Sequence, residues 1–208
     1  MKKLVLVLAL AVLAFVPTAA SADTVAVGDL LNIQWQVGNL TSGGPLLVTN
    51  LTNVSAPTFL SFCLESNEGL AHPSVVAAIS TGAVGGGVSG GNPDPVSDQT
   101  AYLYTKFRMG GWGVLSNTQK DDLQKAIWFL EGEWGANNAF VTEANAAILP
   151  NGVWYGKGLD SVRALNLVTQ AGAPAQDILT IVPEPGSMLL LGTGLFGLAG
   201  ALRRRIKK

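Results

Sequence analysis

The chain is poor in the residues that most often build catalytic and metal sites. It contains one cysteine, Cys63, and one histidine, His72, in 208 residues, and only 13% of its residues are charged. A single cysteine excludes an internal disulfide, so the fold depends on its packed core. Zinc-ligand spacings, phosphate-binding loops and nucleophile elbows do not occur in the sequence. We therefore predict no metal and no cofactor, and the sequence gives no support for a turnover enzyme.

No apolar run in the sequence reaches the roughly 20 residues that span a bilayer core. The N-terminal run, Leu4–Val16, follows two lysines and is followed by a small-x-small site at Ala20 and Ala22. A positive start, a short apolar run and a small-residue site are the three parts of a secretory signal peptide. Residues 1–22 are therefore predicted to be a signal peptide, and cleavage after Ala22 leaves Asp23 as the first residue of the mature protein.

The C-terminus has its own three-part pattern. The first part is the proline-rich segment Pro183, Glu184 and Pro185. A short apolar stretch that contains glycine follows, at residues 188–202. The last part is basic and consists of Arg203, Arg204 and Arg205, followed by Ile206 and two lysines. Prolines interrupt a helix and keep the backbone before them extended. The apolar stretch is marginal as a permanent transmembrane helix, and the basic end favours the cytoplasm. The residues alone predict a weak membrane anchor with an extended segment before it.

This three-part end, over residues 183–208, resembles the PEP-CTERM sorting signal of Gram-negative bacteria. The resemblance implies that exosortase, a transpeptidase of the inner membrane, recognises and removes the tail. It further implies a transient stay in that membrane and then display at the cell surface, in the extracellular matrix or in a biofilm. An ordinary tail-anchored protein is the alternative. A sorting signal does not indicate what the protein does once it is displayed.

The segment between the two ends, residues 23–182, is acidic. Seven of the 13 basic residues lie in the terminal segments, but only one of the 14 acidic residues does. The remaining 6 basic and 13 acidic residues give this body a net charge of −7. Such a body lacks the excess of basic residues with which proteins bind nucleic acid or anionic lipid. Its length is typical of a single domain.

Hydrophobic patterning predicts an α+β body, with an antiparallel β-sheet or sandwich and a small helical insertion. Strands are predicted by alternation and by β-type residues, at residues 24–37, 46–51, 58–64, 161–169 and 177–182. Three helices are predicted: one capped at Ser97, one starting at Ser116, each followed by an apolar period, and one over residues 138–149 before Pro150. The segment 81–95 is rich in glycine, serine, asparagine and proline, and a loop is predicted there.

Two segments stand out together, Thr58–Glu65 and Asp122–Phe129, and the motifs they contain lie within residues 59–134. They resemble the paired motifs of the Cys–Gln thioester domains of bacterial surface adhesins, in which an aromatic-Cys-aliphatic strand lies against a helix with Gln-x-Ala-Ile-Trp. The resemblance implies that Cys63 supplies the thiol and Gln124 the acyl carbon of an internal thioester. That bond would attach the protein covalently to an amine on a surface protein or an exopolysaccharide. Leu123 stands where the adhesins commonly have threonine.

A thioester needs a surround that excludes water. The candidate walls are aromatic side chains near the two motifs: Phe62, Trp112, Trp128 and Trp134. No general base is assigned, because His72 is expected to lie exposed in a loop. In the alternative interpretation Cys63 is a small buried hydrophobe, and the protein is a non-covalent structural or carbohydrate-binding matrix protein whose tryptophans stack on sugars.

Overall fold

The structure, a computed structural model, describes residues 22–36, 44–85, 87–88 and 91–182, and the single residue Gly194. Its elements are β1 (Leu30–Trp35), β2 (Leu46–Asn50), β3 (Phe59–Ser61), β4 (Ser74–Ser80), β5 (Gly82–Ala83), β6 (Asp94–Pro95), α1 (Asp98–Arg108), α2 (Asn117–Leu130), α3 (Ala139–Ile148), β7 (Val162–Thr169) and β8 (Pro174–Ile181). The helices are inserted between β6 and β7. This confirms the predicted α+β class with a helical insertion.

The predicted terminal segments fall almost wholly outside the described residues. This applies to the signal peptide before Ala22, to the sorting segment from residue 183 onwards and, Gly194 excepted, to the predicted transmembrane helix 188–202. Within the described residues, no helix has the length and apolar character needed to cross a bilayer.

Six strands form one antiparallel sheet in the order β3-β2-β1-β4-β7-β8, and β5 pairs with β6 separately. The residues after β3 then join the two edges of the large sheet. The N–H of Leu179 donates to the carbonyl of Phe62 at 3.1 Å, and the N–H of Leu64 donates to the carbonyl of Asp177 at 3.0 Å. The sheet therefore closes on itself through residues 62–64, which lie beside β8.

The three helices begin where the sequence predicts. Ser97 accepts a hydrogen bond from the backbone of α1, and Asn138 does the same for α3. Ser116 and Gln119 form a reciprocal capping box at the start of α2. Caps satisfy N–H groups that have no partner within the helix. Because these hydrogen bonds are local, the sequence determines where each helix starts.

Two parts of the sheet differ from the sequence-based prediction. β4 was not predicted, and the predicted loop 81–95 contains the short strands β5 and β6. In β4, a register shift between Val76 and Ala78 interrupts the pairing with β7. A bulge of this kind breaks the two-residue alternation by which a strand is recognised. β5 and β6 are two residues long, which is too short for any period to appear.

The buried apolar residues form two clusters. The first combines residues of the three helices with Phe62 and Leu64. The second consists mainly of strand residues and contains Cys63 together with Trp128 of α2. Consecutive residues of the closing segment therefore point alternately into the two clusters, as expected for extended backbone.

Candidate functional site

Cys63 lies at the point where the sheet closes. It faces Ile178 of β8, and the flanking hydrogen bonds across the two strands belong to Phe62 and Leu64. Cys63 therefore occupies a non-hydrogen-bonded position of an antiparallel pair, and its own N–H and C=O point away from β8. Two buried backbone groups in this position need a partner from another element.

That partner is the side chain of Gln124 on α2. The N–H of Cys63 donates to Oε1 of Gln124 at 2.9 Å, and Nε2 of Gln124 donates to the carbonyl of Cys63 at 2.9 Å. Gln124 is 0% exposed and Cys63 is 2% exposed. The carboxamide thus takes the place of a neighbouring strand. The two residues that the sequence singled out, 61 positions apart, lie in direct contact.

The backbone of Gly44 packs closely against the side chains of Gln124 and Phe62. A Cβ on Gly44 would lie 2.6 Å from Oε1 of Gln124 and 2.5 Å from Cδ1 of Phe62. These separations are far below van der Waals contact. Only glycine fits here without displacing the carboxamide from Cys63, so the backbone at Gly44 helps to fix the position of Gln124.

The thiol of Cys63 is held in its neutral form. Burial raises its pKa well above the usual range, and the nearby charge of Glu65 raises it further. The thiolate is the nucleophilic form of cysteine. Any reaction of Cys63 at neutral pH therefore requires a neighbouring group that takes the thiol proton.

The four aromatic residues predicted to surround the site are not gathered in one place. Phe62 is fully buried and packs edge-on against Phe107, and Trp128 shares the cluster of Cys63. Trp134 lies next to Trp128, with ring centroids 6.2 Å apart, but is 63% exposed. Trp112 packs instead against the cluster of the helices.

Trp112 belongs to a polar group around α3. Its ring meets Phe140 edge-on at 5.0 Å, and its Nε1 donates to Glu143 at 3.0 Å. Lys106 lies over the Trp112 ring, 4.7 Å from its centroid, and pairs with Glu143. These contacts account for Trp112 without reference to Cys63.

His72 is exposed, as expected from the sequence, and lines an open depression with Asn32, Gln34 and Trp35. Residues alternate across a strand, and the neighbours of Asn32 in β1 are buried in the cluster of Cys63. His72 therefore lies on the outer face of the sheet, away from the thiol.

A group of carboxylates beside Cys63 was not recognised in the sequence. Its members are Glu65, Glu68, Glu133 and Asp177. Burial and the charges of the other three raise the pKa of Glu65 to about 8. No set of three or more His, Cys, Asp or Glu side chains within the described ranges is arranged to hold a metal ion. The acidic residues come from separate elements, and no local sequence pattern could have revealed their convergence.

Asp23, the predicted first residue of the mature protein, is buried. Its carboxylate forms a two-pronged ion pair with Arg108 of α1, with N–O distances of 2.7 and 2.9 Å. Oδ2 also accepts hydrogen bonds from the hydroxyl of Thr180 and the N–H of Ile181. The start of the described chain is thus fixed to the end of β8.

Comparison with known proteins identifies the segment that follows β8. Residues 182–205 match the PEP-CTERM protein-sorting motif. The motif indicates an exported protein, processed by an exosortase in the membrane and sorted to the cell surface. No curated protein and no solved structure matches the chain. The PEP-CTERM match does not extend to residues 59–134, so the thioester domain remains a prediction there.

Proposed function

We propose that this exported, PEP-CTERM-sorted protein forms an internal thioester between Sγ of Cys63 and Cδ of Gln124. The bond is then used once, as a covalent clamp on a surface amine. The chain acts as an attachment device of the cell surface or extracellular matrix rather than as an enzyme with turnover, and it needs no cofactor.

The observation that carries this proposal is the paired hydrogen bond between the carboxamide of Gln124 and the backbone of Cys63. It holds the acyl carbon next to the residue that bears the thiol. Preorganised reactants of this kind avoid most of the entropic cost of bringing two groups together. A buried glutamine with only a structural role would not have to lie against the single cysteine of the chain.

The hydrogen bonds also suit the chemistry. Attack of Sγ on Cδ of Gln124 places negative charge on Oε1, which already accepts the N–H of Cys63 at 2.9 Å. A backbone donor aimed at a developing oxyanion lowers the barrier to acyl transfer. Nε2 leaves as ammonia and is oriented by the Cys63 carbonyl. The S–C bond forms, the C–N bond breaks, and the thiol proton leaves with the ammonia.

Burial gives the thioester a long lifetime but restricts its use. Water has little access, because Cys63 and Gln124 are almost completely buried. Exclusion of water protects a reactive acyl group from hydrolysis. An amine of a partner reaches Cδ only after local opening of the site, and such opening costs less free energy than global unfolding. Mild urea should therefore accelerate the reaction with amines before the protein unfolds.

The test is peptide mass spectrometry of the full-length chain isolated from an export-competent host. After digestion at acidic pH, the peptides that contain Cys63 and Gln124 should be joined and lighter by one ammonia. Methylamine should separate them, leaving a free thiol and N-methylglutamine at position 124. The Cys63→Ala variant should give neither product.

The opposite outcome is equally clear. Separate, unmodified peptides and one alkylatable thiol in the denatured wild type would exclude the thioester. Cys63 and Gln124 would then be a structural pair.

A non-covalent carbohydrate-binding function is the second candidate, and the open depression at the end of β1 favours it. Trp35, which is 48% exposed, lines the open depression of about 440 Å³ with Asn32, Gln34 and His72. An aromatic ring beside amide groups suits a sugar, because the ring offers an apolar surface on which the sugar can stack and the amide groups form hydrogen bonds with its hydroxyl groups. Under this function, Trp35→Ala abolishes binding to exopolysaccharide and Cys63→Ala preserves it. If the protein is instead a covalent clamp, its attachment survives denaturation, and this attachment is lost in Cys63→Ala but not in Trp35→Ala.

A further inference from the structure

The carboxyl of Glu65 meets β8 next to the residue that faces Cys63. Cys63 faces Ile178, and the N–H of Asp177, the preceding residue of β8, donates to Oε2 of Glu65 at 3.2 Å. The chain bends at Leu64, so the side chain of Glu65, rather than the backbone, accepts this hydrogen bond. The charge of Glu65 acts directly on the pKa of the Cys63 thiol. Glu65 and Cys63 are therefore neighbours.

The carboxyl of Glu65 is buried and only half satisfied. The residue is 2% exposed, and its Oε2 accepts hydrogen bonds from Nε2 of Gln176 and from Asp177 N–H. Its Oε1 is buried, and the described part of the chain gives it no hydrogen-bond partner. A buried oxygen without a partner costs free energy, and in a native structure such an atom calls for an explanation.

The charges around Glu65 are all of one sign. The titratable groups that face it from its own segment, from the end of α2 and from β8 are Cys63, Glu68, Glu133 and Asp177. Burial and these carboxylates raise the pKa of Glu65 to about 8, and its charge in turn raises the pKa of the Cys63 thiol. A group with a pKa near the working pH both accepts and releases a proton readily.

Other candidates for proton transfer are already engaged or too distant. Both oxygens of Asp177 accept hydrogen bonds, from Val84, Asn166 and Leu167. Glu133 accepts from Ser66 and from Val88. His72 lies on the outer face of the sheet. Glu68 also has a buried oxygen without a partner among the described residues, but the carboxylate whose charge acts on the pKa of the Cys63 thiol is Glu65.

We propose that Oε1 of Glu65 carries the proton in thioester chemistry at Cys63, an inference that rests on the proposed function. During formation, Oε1 takes the proton from Sγ while the S–C bond to Gln124 forms. It then gives the proton to Nε2 as the C–N bond breaks, so that ammonia leaves and Glu65 ends unchanged. During opening, the proton of the attacking amine passes through Oε1 to Sγ, which is restored as a thiol.

The test follows the formation of the joined peptide over time. Each full-length variant is isolated as unfolded chain before a thioester can form, shown to have a free thiol and an unmodified Gln124, and diluted to fold at a series of pH values. Glu65→Gln preserves the size of the side chain and its hydrogen-bonding capacity but cannot take the proton. Its formation rate should fall by about 10²-fold or more, the usual contribution of a positioned acid or base. The wild-type rate should show a step near pH 8 that the variant lacks.

Two further variants separate a chemical role from a structural one. Glu65→Asp retains a carboxyl and should recover part of the rate and the step near pH 8. Glu131→Gln alters another carboxylate with a raised pKa, one that is partly buried and hydrogen-bonded to Ser97, and should form the thioester at the wild-type rate. Circular dichroism confirms that each variant folds.

Each outcome decides the matter. A thioester that forms in folded Glu65→Gln at the wild-type rate, with the same pH dependence, overturns the role of Glu65 and leaves the proposed function intact. Failure of the wild type itself to form the joined peptide overturns both.

Discussion

Asp23 and Ile181 are joined by two hydrogen bonds, one in each direction. The N–H of Asp23 donates to the carbonyl of Ile181 at 2.7 Å, and the N–H of Ile181 donates to Oδ2 of Asp23 at 2.9 Å. The predicted signal peptide ends one residue before Asp23, and the sorting motif begins one residue after Ile181. The predicted cleavage site and the sorting motif therefore lie at one point of the folded domain, where Arg108 neutralises the buried carboxylate of Asp23.

The ion pair between Asp23 and Arg108 should be a major contributor to stability. Asp23→Ala leaves the largely buried guanidinium of Arg108 without its carboxylate, and an uncompensated buried charge costs about 3–5 kcal/mol. Urea unfolding of the exported protein measures this loss. N-terminal sequencing of the variant verifies that the signal peptide is still removed at the same bond.

The matched control is Lys125→Ala, which removes the more exposed pair of Lys125 with Asp121, one turn apart on α2. Pairs of this kind contribute about 0.3–0.5 kcal/mol. An equal loss in the two variants would mean that Asp23 is not anchored as described.

Gln124 should stabilise the fold whether or not a thioester forms. Gln124→Ala leaves the N–H and C=O of Cys63 buried without a partner and opens a cavity beside them. We expect a loss of about 2–5 kcal/mol. The measurement is urea unfolding in the Cys63→Ala background, where Gln124 stays unmodified and a covalent bond does not contribute. A loss below about 0.5 kcal/mol would be typical of a surface residue and would contradict the paired hydrogen bonds.

Gly44 should be intolerant of any side chain. Gly44→Ala places a methyl group against Oε1 of Gln124 and Cδ1 of Phe62, and relief of such overlap costs about 1–3 kcal/mol. The variant should also form less thioester, because the carboxamide is displaced. Gly69→Ala is the control, since a Cβ on Gly69 meets nothing within 4 Å. Equal stability of the two variants would show that Gly44 does not contact the site.

Stability should decrease as the pH rises from about 5 to about 8. The pKa of Glu65 is raised from its usual 4.5 to about 8 by burial and by neighbouring carboxylates. Between these two values the folded state binds a proton that the unfolded state has released, so the free energy of unfolding falls with increasing pH. The raised pKa values of Glu68 and Asp177 act in the same direction.

Urea unfolding at several pH values measures the slope. Glu65→Gln should reduce the change between pH 5 and pH 8 by on the order of 2 kcal/mol, less than the full shift of Glu65 because interacting carboxylates titrate together. An unchanged slope in this variant would show that Glu65 is ionised at neutral pH in the folded protein.

The sequence predicted the helices because their signals are local. Ser97, Ser116 and Asn138 cap helices through hydrogen bonds that reach two or three residues along the chain. The sorting motif is likewise a linear pattern, and its match over residues 182–205 confirms that part of the prediction.

The candidate site was predicted only in part. The choice of Cys63 and Gln124 came from a resemblance to paired motifs, and the structure places the two residues in contact. Whether they react stays a prediction. The predicted aromatic wall around the two residues was only partly right, because Trp112 packs against Phe140 and Trp134 is exposed.

The amino-acid sequence by itself determined the caps, the apolar periods and the sorting motif, because each depends on residues close together in the chain. Only the tertiary structure decided the closure of the sheet at Cys63, the bulged strand β4, the ion pair of Asp23 with Arg108 and the half-satisfied carboxyl of Glu65. These features depend on strands and helices that are distant in the chain and meet when the core packs. Strand pairing and buried charge are properties of that long-range packing, and no local pattern encodes them.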